Sequence, residues 1–96
     1  MTIDTVTKKI ITVLRELQLV SGRACGQLTG NTKPIGDLIG FDSLSAIEAT
    51  VAIEAALVQE LNVDNLLVAQ INGRKHALTI TETAERIVKV LDGKAA

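Results

Sequence analysis

Phe41 is the one aromatic side chain among 96 residues, in a chain that is 47% hydrophobic. Any core must therefore be built from Leu, Ile, Val and Ala. An aliphatic core without β-favouring aromatics leans towards helix. The length suits one domain, 1–96, with a modest core and no need of disulfide or metal staples. Cys25 is alone, which excludes an intrachain disulfide and offers no metal framework.

Periodicity supports the helical reading. Ile3, Val6, Ile10, Val13, Leu14 and Leu17 recur at helical spacing, predicting a first helix over 3–20 with Ser21-Gly22 as its stop. Residues 21–41 hold five glycines and the only proline, a long loop with local turns. Leu28, Ile35, Leu38 and Ile39 should pin that loop to the core. A second long helix is expected from about Ser43 to about Glu60. Val63, Leu66, Leu67 and Ile71 suggest a short helix over 62–71. Asn72-Gly73 is a turn signal, followed by a polar Arg74-Lys75-His76 loop. The last helix is predicted over about 80–92, with Ile80, Ala84, Ile87, Val88 and Leu91 on one face. Thr79 and Glu82 have capping-box spacing at its start. The fold class expected is all-α, a small four-helix bundle of three longer helices and one short one.

The second helix carries apolar residues on two sides. At about 100° per residue, Ile47, Val51, Ala55 and Val58 fall within about 60° of Leu44. Ala46, Ala49, Thr50, Ile53 and Leu57 fall opposite. A small bundle needs one buried face per helix, so one stripe is a candidate partner surface. The alternative is a central helix buried nearly all round. Glu48 and Glu54 flank the Leu44 stripe.

Charge narrows the partner class. Net charge is −1, yet from Pro34 to Gly73 there are six acids and no Lys or Arg. Nucleic-acid binding would want a basic stripe; this segment suits a partner with a basic surface. No run reaches the roughly 18 apolar residues of a membrane span. The N-terminal residues show no signal peptide, so a cytoplasmic location is expected.

The residues with most chemical content are Gly40-Phe41-Asp42-Ser43-Leu44-Ser45-Ala46-Ile47-Glu48. A loop ends in glycine, and a serine opens an apolar-patterned helix, whose N-terminus favours anions. This segment resembles the attachment signature of acyl carrier proteins: glycine, a variable residue, Asp-Ser-Leu, then an apolar residue and Glu one turn on. The resemblance extends in element order over about residues 3–92. It implies a covalent 4′-phosphopantetheine on Ser43, whose terminal thiol carries an acyl group as a thioester. It implies that Asp42 helps position the magnesium of the phosphopantetheinyl transferase that installs the arm. Leu44, Ile47, Glu48, Val51 and Glu54 become the partner-binding residues. The partners implied are that transferase and acyl-loading and acyl-processing enzymes. The carrier is expected to be monomeric, with no catalytic residue and no metal of its own.

The chain departs from carriers of bulk fatty-acid synthesis. It is nearly neutral, Ser45 stands where an acid is common, and the stretch 72–77 lengthens the approach to the last helix. Phe41 is more typical of polyketide-type and other specialised carriers. A specialised fatty-acid, lipid or polyketide-like pathway is therefore expected. The rival readings are an aminoacyl or peptidyl carrier, and an unmodified helical interaction module using the Leu44–Val58 face. Cys25 and His76 read as loop residues. Ser45 is a poor rival to Ser43, being about 200° further round the helix.

Overall fold

The structure, a computed structural model, describes residues 2–23 and 25–95. Helix α1 spans Ile3–Val20. Thr2 caps it by accepting the Thr5 N–H at 3.2 Å. Its buried positions, Val6, Ile10, Val13, Leu14 and Gln18, form one stripe. It ends in a Schellman motif: Gly22 takes φ +72°, Gly22 N–H donates to Leu19 and Arg23 N–H to Gln18.

The following loop is stitched down by its backbone as much as by its side chains. Leu28 and Leu38 are buried, and Ile35 is half-buried. Ile39 departs from expectation, with 66% of its surface exposed. Its carbonyl is the anchor instead, accepting from the buried Gln18 Nε2 at 3.0 Å. Gly30 and Thr32 carbonyls accept the Thr81 and Ile80 N–H groups, both at 2.9 Å, tying the loop to the last helix. A single turn, α2, occupies Pro34–Asp37, with Pro34 at its first position.

Helix α3 spans Ser43–Leu57 and is shorter than expected. Val58 adopts a left-handed conformation (φ 54°, ψ 44°), and Gln59 N–H closes back on Glu54. Val58 therefore stands beyond the helix and does not extend the Leu44 stripe.

The predicted short helix over 62–71 is absent, and all-α is corrected to a mostly helical fold with a small sheet. Strands β1 (Val68–Ile71) and β2 (Arg74–Ala77) pair antiparallel, with Val68 opposite Ala77 and Ile71 opposite Arg74. The expected polar loop at 74–76 is thus strand. Two asparagines explain the difference. Asn62 takes φ 55°, which interrupts a helix, and Asn65 Oδ1 accepts the Leu67 N–H at 3.1 Å in place of a helical carbonyl. Asn72 (φ 53°) and Gly73 (φ 76°) then supply the two positive φ values of a type I′ hairpin turn.

Helix α4 spans Ile80–Ala95. The Thr79–Glu82 capping box forms in both directions, at 2.9 and 3.1 Å. α1 packs on both α3 and α4. Ile10, Leu14, Ile53, Leu66, Leu67, Ile80 and Ile87 are the largest fully buried aliphatics of the shared core. No helix among the described residues is long and apolar enough to cross a membrane.

Candidate functional site

The Gly40–Ser43 corner is held from both sides. Phe41 is buried and its N–H donates to the Leu38 carbonyl at 3.2 Å. Gly40 takes φ +70°, and Arg23 Nη1 donates to its carbonyl. Asp42 is the N-cap: its Oδ1 accepts the Ser45 N–H at 2.9 Å. Ser43 is then the first helical residue and is exposed. Asp42 and Ser43 are both good capping residues; Asp42 takes the post, so the Ser43 hydroxyl is not consumed in it. Ser45 is half-buried and turned to Asp42.

The Ser45 backbone N–H holds the Asp42 carboxyl below its ordinary pKa. Asp42 is therefore an anion at neutral pH, one residue before the serine. Asp37 is also exposed, but its Oδ2 accepts the Lys33 N–H at 2.7 Å within the preceding turn.

Helix α3 divides its apolar residues cleanly. Ala46, Ala49, Thr50, Ile53 and Leu57 face the core. Leu44, Ile47 and Val51 face outward, with 70%, 44% and 62% of their surface exposed. Glu48 is exposed beside them. Thr50 sits in the core because both its roles are filled: its hydroxyl donates to Ala46 and accepts the Leu66 N–H, each at 2.9 Å.

Glu54 differs from Glu48. It is half-buried, and its Oε2 accepts the Leu61 N–H at 2.7 Å. It closes the loop after α3, so its carboxylate is already engaged. No local pattern signals this, since the two residues are seven apart across a helix end.

A groove of about 590 Å³ opens beside Ser43, between α3 and the hairpin, with Ser43, Ile47, Val68, Gln70, Lys75 and Arg86 on its walls. Arg86 is fixed there by three carbonyls, Asn65 at 3.0 Å, Leu66 at 3.2 Å and Val68 at 2.9 Å. The sequence did not place Lys75 or Arg86 near the serine. The available signal was Asn72-Gly73, which folds residues 74–77 back along 68–71. Cys25 is half-buried in a shallow depression with Leu38 and Ile39, and His76 is exposed on β2. No group of His, Cys, Asp and Glu among the described residues could hold a metal ion.

No known protein family, curated protein or solved structure matches this chain.

Proposed function

We propose that the chain is a carrier of acyl groups, held as thioesters on a 4′-phosphopantetheine arm esterified to Ser43. One observation carries this reading: Asp42 caps α3, which leaves on the first helical residue an exposed hydroxyl with no hydrogen bond among the described residues. A phosphodiester there would meet the unpaired N–H groups and positive end of the helix. The residues present fit the group, since a serine with solvent around it accepts a bulky substituent without displacing the core.

In the attachment step Ser43 Oγ bonds to the phosphorus bearing the pantetheine of coenzyme A. The pyrophosphate O–P bond breaks, adenosine 3′,5′-bisphosphate leaves, and the hydroxyl proton passes to the transferase. Asp42, ionised and adjacent, is the residue to hold the transferase's magnesium. The exposed strip of Leu44, Ile47 and Val51, with Glu48 at its side, is the docking surface for the transferase and for acyl-loading and acyl-processing enzymes. The chain supplies no catalytic group of its own. It acts as a cytoplasmic monomer in a specialised fatty-acid, lipid or polyketide-like pathway.

Intact mass tests the assignment. Incubation with coenzyme A, magnesium and a broad-specificity transferase should add one phosphopantetheine, and Ser43→Ala should abolish the gain while keeping the helical fold. A wild-type chain that gains nothing, or a Ser43→Ala variant that still does, overturns it. An aminoacyl group on the arm, identified by the mass it adds to the holo chain, would make this an aminoacyl carrier instead.

A further inference from the structure

We infer that the β1–β2 hairpin forms one wall of a seat for the arm, with Lys75 as counter-ion to its phosphodiester; this rests on the carrier reading above. The hairpin register decides which side chains face the serine. Gln70 is the direct partner of Lys75, and Val68 of Ala77. Side chains alternate along a strand and directly opposed residues share a face. Val68, Gln70 and Lys75 thus stand together, and all three line the groove with Ser43 and Ile47. Ile71, Arg74 and His76 are exposed on the other face.

The groove has the parts an anionic, amide-bearing chain needs. Its volume, about 590 Å³, lies in the roughly 300–1,000 Å³ range of small-molecule sites. Ile47, Val63 and Val68 give it apolar wall, and the Gln70 carboxamide can pair with an amide of the arm. Two cations reach it. Arg86 is committed to carbonyls. Lys75 is exposed and makes no ion pair or hydrogen bond with the described residues. Asp64 is the acid on the same walls, so Lys75 and Arg86 leave the groove net positive beside an otherwise acidic α3 surface. The occupant is the arm itself, because the hydroxyl that would bear it is on the wall.

The test compares apo and holo protein, made with transferase and coenzyme A and verified by mass, using amide and Lys Nζ chemical shifts. Attachment should move the amides of residues 68–76 and the Lys75 Nζ signal, besides those around Ser43. Lys75→Gln should lose most of the hairpin response, and Lys75→Arg should keep it. Neither should change the thermal midpoint, since Lys75 is exposed. Raising salt should shrink the Lys75 response by screening. An arm attached by mass with shifts confined to residues 40–48 overturns the seat and leaves the carrier reading standing. Hairpin shifts that survive Lys75→Gln overturn the role of Lys75. A chain that accepts no arm removes both.

Discussion

The Arg23 side chain occupies the space above Gly40: a Cβ at Gly40 would lie 2.6 Å from both Cδ and Nη1 of Arg23, whose Nη1 donates to the Gly40 carbonyl. The contact joins the end of α1 to the corner that presents Ser43. Gly40 has a second reason to be glycine, its φ of +70°.

Gly40→Ala should therefore cost about 1–2 kcal/mol from the left-handed backbone alone, and should also push Arg23 aside. Arg23→Ala in the Gly40→Ala background should cost less than Arg23→Ala in the wild type, because the guanidinium is already displaced. A double-mutant cycle in urea measures this coupling. Strict additivity would mean that the two residues act independently.

Val58 is the opposite case, a β-branched residue where the helix-ending motif favours glycine. Its side chain is 86% exposed, so little packing is lost on removing it. Val58→Gly should stabilise the fold, by about 1 kcal/mol, since the left-handed penalty outweighs glycine's backbone entropy. The urea midpoint should rise with an unchanged slope. A fall would show that the Val58 side chain supports the loop to Leu61.

The two faces of α3 should separate stability from recognition. Ile53 is fully buried, and Ile53→Ala should cost about 2–5 kcal/mol. Ile47 is 44% exposed, and Ile47→Ala should cost under about 1 kcal/mol while slowing transfer of the arm. Equal stability losses at both positions would dissolve the distinction.

The two stripes were legible in the sequence because 15 helical residues give the period room to show, but the period alone did not say which of them faces outward. The α1 stripe and the Thr79–Glu82 box were legible for the same reason: each is local. The hairpin was not, because β1 and β2 have four residues each and Leu66-Leu67 mimics a helical apolar pair. Asn72-Gly73 signals a turn, but nothing local says that it is the type I′ turn that pairs its flanks. Asp42 and Ser43 are equally plausible caps on paper, and three-dimensional geometry chooses between them. Arg23 against Gly40, and Gln18 against Ile39, are contacts across 17 and 21 residues, beyond any local pattern.

Stability should fall in acid through two caps. Backbone N–H donors, Ser45 to Asp42 and Thr79 to Glu82, hold both carboxyls below their ordinary pKa values. A carboxyl with a lowered folded pKa stabilises the fold above its unfolded pKa, and that contribution disappears as pH falls through the folded value. The loss therefore begins near pH 4, the ordinary carboxylate range of about 3.9–4.3, and continues below it. Asp42→Asn together with Glu82→Gln should flatten this limb in urea melts taken from pH 6 down to pH 2. An unchanged slope would place the acid sensitivity elsewhere.

Glu48 and Glu54 should respond to different experiments, although both flank the same apolar strip. Glu54 spends its carboxylate on the Leu61 N–H at 2.7 Å, beside a Leu61 side chain that is buried. Glu54→Ala leaves that donor without its partner, which should cost about 1–3 kcal/mol. Glu48 is exposed and has no such duty. Glu48→Lys should leave stability within about 0.5 kcal/mol. If the chain is the carrier proposed above, its effect belongs to encounter, where surface charge would steer a basic partner. Charge reversal should slow the transferase and remove part of its salt dependence. The slowing should be modest, because one exposed pair contributes about 0–1 kcal/mol and physiological salt screens beyond about 8 Å. The chain's net charge of −1 further limits the total salt effect. Transferase rates at low and physiological salt, with melts of the same variants, separate the two glutamates. A Glu48→Lys rate equal to wild type at both salts would mean that recognition rests on Leu44, Ile47 and Val51 alone.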